Sequence, residues 1–226
     1  MSKRFFTSMW CLLTAFALAG CASTRPLPRT MIRSWPYGEY EQMARRGAAL
    51  DVEVCLKAAD QYRERYREMM VSQPAFAHWY GEESKKFYNH ILNELEPQNA
   101  YAAVSLGYLA LVQARHTDSR KDREMALDSA YAKLMQADRN RKGYADAHVY
   151  LGELYVLRKE WDRAIREFSL LATSGIEDSN IHAWWGYALS KQGSALEARE
   201  HFRKAVELGY PEEAASWARQ AVSSGG

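Results

Sequence analysis

The segment ADAHVYLGELYVLRKEWDRAIREFSLLATSGIED starts at Ala145, and SNIHAWWGYALSKQGSALEAREHFRKAVELGYPE starts at Ser179, an offset of 34 positions. The offset superposes His148 on His182, Gly152 on Gly186, Ala164 on Ala198 and Phe168 on Phe202. A chain that repeats at this period is restricted to architectures in which each unit buries its apolar face against the next. Each unit reads as two amphipathic helices with a turn between them, small residues standing where helices must approach and an aromatic wedging between them. No segment shows the alternation of a strand, so the expected fold class is all-α.

The repeat resembles the tetratricopeptide repeat (TPR). Leu151-Gly152 and Trp185-Gly186 take its Leu-Gly position, Tyr155 its Tyr position, and Ala164/Phe168 and Ala198/Phe202/Ala205 its second-helix positions. The chain departs from that pattern at His148 and His182, which replace its frequent Trp, at Leu189, and at Pro211, a shifted closing Pro. An earlier unit follows if an insertion is allowed. AYAAVSLGYLALVQ, from Ala100, puts Leu106-Gly107 at the Leu-Gly position, and Ala130, Leu134 and Ala137 supply the second helix. About 11 extra residues near RHTDSRKDREM separate the two helices. The expectation is a helical-hairpin solenoid of about three repeats (100–144, 145–178, 179–212) closed by a capping helix, the repeat region running over 100–222. Residues 39–99 read as an N-terminal helical region of two long helices, through Tyr62, Tyr66 and Met69 and then Phe76, Tyr80, Phe87, Ile91 and Leu95.

The N-terminus sets an address. Lys3 and Arg4 precede FFTSMWCLLTAFAL, then Ala19, Gly20 and Cys21. A basic start, a short apolar run and a small-residue site make a leader, and the run is shorter than the roughly 20 residues a spanning helix needs. LAGC resembles the lipobox of bacterial lipoproteins, which implies a signal peptide over 1–20, lipid on Cys21, and no other cofactor. Several acyl chains anchor stably, at about 0.8 kcal/mol per buried CH₂. Ala22 rather than Asp after that cysteine implies, by resemblance to proteobacterial lipoproteins, the outer membrane, with the chain facing the periplasm. Residues 21–38, with Pro26, Pro28 and Pro36, read as anchor and tether, able to reach roughly 50 Å at about 3.3 Å per residue.

Lys and Arg number 30 against 28 Asp and Glu; without Lys3 and Arg4 the balance is 28 to 28. Nucleic-acid binders carry a basic excess, so that class is set aside. With Cys11 in the leader and Cys21 lipidated, Cys55 is left as a lone thiol, which excludes an internal disulfide or cysteine cluster.

No HExxH, P-loop, GxGxxG or paired CxxC occurs. Ser105 in AVSLG lacks the first glycine of a nucleophile elbow and lies in a helical pattern. His148 and His182, at equivalent repeat positions, admit a shared metal, but the packing role of the Trp they replace is the reading taken. Trp185 belongs to the core by register; Trp184 is open between surface and core. No catalytic or metal-binding residue is therefore expected. What remains is a groove. In repeats of the TPR kind the first helices line a concave surface, and the register selects Tyr101, Val104, Tyr108 and Val112, then Val149, Glu153 and Val156, then Ala183, Tyr187 and Lys191. That row suits capture of an extended peptide or helix. The Lys and Asn of the carboxylate clamp are absent, since Val104, Tyr108, Val149 and Glu153 stand there. Arg115, His116, Arg120, Lys121 and Arg123 read either as a second contact surface or as a solvated helix extension.

The expected function is a lipid-anchored protein–protein interaction adaptor in the bacterial envelope. In organisation it resembles lipid-anchored repeat proteins that pilot pilus or secretion subunits. A scaffold for a peptidoglycan-modifying enzyme is the alternative.

Overall fold

The structure is a computed structural model that describes residues 51–209. The leader, Cys21, the tether, residues 39–50 and the capping helix over 212–222 lie outside the described residues, which all fall in one compact unit.

Among the described residues, eight α-helices pair in order: α1 (Val52–Ser72) with α2 (Pro74–His90), α3 (Ala100–His116) with α4 (Arg120–Asn140), α5 (Ala145–Leu157) with α6 (Trp161–Thr173), and α7 (Ser179–Gln192) with α8 (Ala195–Glu207). Among the described residues there is no strand. Local chemistry sets the starts. Asp51 accepts the Val54 N–H at 2.8 Å, Asn99 the Ala102 N–H at 2.8 Å, and Asp178 the Asn180 N–H at 2.8 Å, each satisfying a donor with no partner inside the helix. Pro74, which cannot extend α1 but suits a first helical turn, separates α1 from α2. Gly193 closes α7 with φ at 98°, a left-handed cap that only glycine adopts without strain.

The repeat glycines mark the crossings inside each hairpin. A Cβ on Gly107 would stand 2.7 Å from Leu134 Cδ2, one on Gly152 2.7 Å from Phe168 Cζ, and one on Gly186 2.8 Å from Phe202 Cδ1. The three hairpins thus share one packing solution. The first is longer: α3 has 17 residues and α4 has 21, against 13 each in α5 and α6. The extra residues are added helical turns, and the link between α3 and α4 stays short. Residues 120–125 at the start of α4 are exposed, with the Arg123 guanidinium donating to the Thr117 carbonyl at 3.1 Å. The stretch is an exposed helical extension, which a contact surface and a solvated extension would share.

The α1–α2 pair is built on aromatics. Tyr62 stacks on Phe87 at 5.9 Å and meets the Trp79 edge at 5.7 Å, while Tyr80 is fully buried. Phe76, in the same spacing, is 49% exposed. The helix continues past His90 as one wider π-helical turn, Ile91–Leu95, which tucks Ile91 and Leu92 into the core.

Candidate partner-binding face

The first helices of successive hairpins touch, α3 on α5 and α5 on α7, and so form one continuous inner layer. Tyr108 on α3 lies 5.2 Å, ring to ring, from Tyr150 on α5. The Arg115 guanidinium of α3 lies 3.5 Å from the Glu153 carboxylate of α5. On the last hairpin, Tyr187 meets Trp161 edge-on at 6.1 Å and Trp184 at 6.4 Å, with Lys191 Nζ 5.2 Å above its ring.

The ten residues selected by register divide. Tyr101, Tyr108, Val149 and Tyr187 are half-buried and Lys191 is exposed. Val104, Val112, Glu153, Val156 and Ala183 are buried, none more than 5% exposed. These five correct the register reading: burial closes them to a partner, with Glu153 beside Arg115 of the neighbouring first helix and Ala183 packed on Ala205 of its own hairpin. Tyr101 is partly committed as well. Its hydroxyl donates to Asp60 Oδ1 at 2.9 Å and accepts from Arg63 Nη2 at 3.1 Å.

That contact belongs to a polar junction between the N-terminal pair and the first repeat. Tyr88 also donates to Asp60 Oδ1, and Arg63 reaches Asp60 at 3.4 Å and the Ser105 hydroxyl at 2.8 Å. Ser105 is fully buried within α3, where its hydroxyl accepts from Arg63. Burial foremost, with Tyr108 and then Glu153 adding to it, pushes the Tyr150 hydroxyl well above the usual tyrosine range. Burial likewise pushes Tyr66 up to about 12. Tyr150 stays neutral, so the inner layer carries an uncharged ring there beside the Arg115–Glu153 pair.

Sequence reasoning missed Tyr150 and Trp161. Tyr150 adjoins the selected Val149, and Trp161 opens α6, a helix the register argument did not consult. The two repeat histidines stand apart from one another. His148 Nδ1 bonds Glu167 at 2.7 Å and its Nε2 lies 3.3 Å from Asp138, whereas His182 Nδ1 bonds His201 Nδ1 at 2.9 Å. Among the described residues, no group of three or more His, Cys, Asp or Glu could hold a metal ion. Burial, then Asp51, raises the Cys55 thiol, which suits an inert core residue. No described helix is long and apolar enough to cross a membrane.

No family model and no curated protein matches the chain. The solved structure of TTC0263, a thermophilic TPR protein of Thermus thermophilus, is similar with a TM-score of 0.54 and 18% identity. The match covers 83% of this chain and 97% of that one. The fold is therefore a TPR-like helical solenoid.

Proposed function

We propose that this protein is a lipid-anchored adaptor of the bacterial envelope that captures a protein segment along the inner layer of α3, α5 and α7. It works by binding and holding, without chemistry of its own. The observation that supports the reading is the row of half-buried aromatics, Tyr108 against Tyr150 and Tyr187 between Trp161 and Trp184. Rigid rings with an apolar body and a polar tip provide contact area at low cost in side-chain entropy. The LAGC sequence at Cys21 supports lipid attachment at the outer membrane, facing the periplasm, and the proline-rich stretch after it supplies reach.

The partner belongs to an assembly of the envelope, such as a secretion or pilus complex, whose subunits an anchored adaptor concentrates at one place. The test is affinity capture from detergent-solubilised membranes with wild type, Tyr108→Glu and Tyr187→Glu. Loss of the same partner in both variants, with helical circular dichroism unchanged, supports capture on this face. Undiminished capture contradicts it. Cys21→Ala should move the protein from the membrane to the soluble fraction, and continued membrane attachment would contradict the anchor.

A further inference from the structure

His182 on α7 is 2% exposed, and its Nδ1 lies 2.9 Å from Nδ1 of His201 on α8. The His201 ring stacks on Trp185 with centroids 3.9 Å apart, and His182 lies parallel to Trp185 at 6.3 Å. The other His182 nitrogen, Nε2, is buried and makes no hydrogen bond. Two nitrogens at this distance share one proton: one ring must be the Nδ1–H tautomer and the other must offer its Nδ1 lone pair.

The arrangement suits neutral rings. A proton added to His182 makes a buried cation whose Nε2–H has no acceptor, and a lost or absent partner for such a group is costly. A proton on each ring sets two N–H bonds head to head and brings two cations together. The charged groups acting on the rings are Lys204 and Glu200 on α8 and Glu177 and Asp178 before α7. None of these comes from α5 or α6, the other described helices on α7; α6 meets the hairpin through Ile165, through the Trp161 ring on Tyr187 and through Asp162, which accepts from Gln192. Lys204 lies 3.6 Å from Glu177, and it opposes protonation of both rings.

We propose that the His182–His201 bond is a pH-sensitive latch on the last hairpin, closed while one Nδ1 keeps its lone pair and opened when both rings take up a proton. Opening frees both imidazoles to reach water and loosens α8 from α7. The latch is independent of the partner-capture reading. The sign follows from linkage. Burial, then His182 and Lys204, lowers His201 to about 4, and burial, then Lys204, lowers His182. A base whose folded pKa lies below its unfolded value contributes stability that is complete above the unfolded value, about 6.5 for imidazole. That stability is lost as pH falls from there toward the folded value.

The repeat provides its own control. His148 and Glu167 are 19 positions apart, as are His182 and His201, so His201 stands where the preceding repeat has a carboxylate. The experiment uses the full chain in detergent. Long-range ¹H–¹⁵N spectra should show one ring as the Nδ1–H tautomer and both titrating well below the ordinary imidazole range. Amide exchange in α7 and α8, corrected for its intrinsic pH dependence, should be about tenfold faster at about pH 5 than at about pH 7, with α3 and α4 unchanged. His201→Glu, which gives His182 a carboxylate, should abolish or reverse that difference. Two Nε2–H rings titrating independently near the ordinary value, or equal exchange at both pH values, would overturn the latch. The tautomer measurement on wild type decides the matter even where the variant fails to fold.

Discussion

Gly152 of α5 crosses α6 at Phe168, so closely that a Cβ there would overlap the ring at Cε1 and stand 2.7 Å from Cζ. Phe168 is fully buried and cannot swing clear. Alanine gains up to about 1 kcal/mol of helix propensity over glycine, whereas overpacking a filled core costs typically about 1–3 kcal/mol. Gly152→Ala should therefore destabilise the protein on balance. Gly186→Ala should do so too, since its Cβ would also meet the Ala198 carbonyl at 3.0 Å. Gly107→Ala should cost less than Gly152→Ala, because its Cβ would meet Leu134, also fully buried, at 2.7 Å, whereas one on Gly152 would come closer still to the Phe168 ring. Urea unfolding of the three variants checks the order, and a stabilised Gly152→Ala would contradict the close crossing.

Asp60 joins the α1–α2 pair to α3, accepting hydrogen bonds from both Tyr88 and Tyr101. Replacing it by Ala removes the acceptor of two hydroxyls and the carboxylate beside Arg63, which keeps its bonds to Ser105 and Tyr101. The expected loss is about 1–3 kcal/mol, felt mainly where α3 meets α1 and α2. Asp60→Asn, which keeps an acceptor oxygen, should lose less. Amide exchange in α1 and the start of α3 reads the effect locally, and an unchanged rate in Asp60→Ala would argue against the junction.

Cys55 is fully buried with a raised thiol pKa, so reaction with a maleimide requires opening of α1. In Cys21→Ala, labelling of Cys55 in native protein should proceed at the rate of unfolding and quicken with urea in step with loss of helical signal. Rapid labelling of native protein would contradict the buried setting.

The repeat was legible because the two helices of every unit close on each other through the same contacts. Gly107, Gly152 and Gly186 face Leu134, Phe168 and Phe202, and even the histidine contacts recur 19 positions on. The insertion was legible in size but not in form: helical phase continues smoothly into added turns, and sequence spacing cannot separate those from a loop. The inner face was half legible. Periodicity tells which flank of a helix points inward, but how tightly the next helix seals that flank depends on the approach of α3 to α5 and of α5 to α7. Packing buries Val104, Val112, Glu153, Val156 and Ala183, the last against Ala205 of its own hairpin, and leaves Tyr108 and Tyr187 nearer the surface. The Asp60 junction was invisible, since its partners lie 28 and 41 positions away and nothing local announces them.

The central claim is that the inner layer, and not the outer one, receives the partner. The direct measurement is photo-crosslinking in cells with a benzophenone amino acid at position 108 or 187 on the inner layer, or at Tyr131 and Leu170, which are exposed on α4 and α6. The account predicts one discrete adduct shared by 108 and 187, lost from the 187 position when Tyr108→Glu is added, and none from 131 or 170. Adducts from the outer positions alone would contradict it.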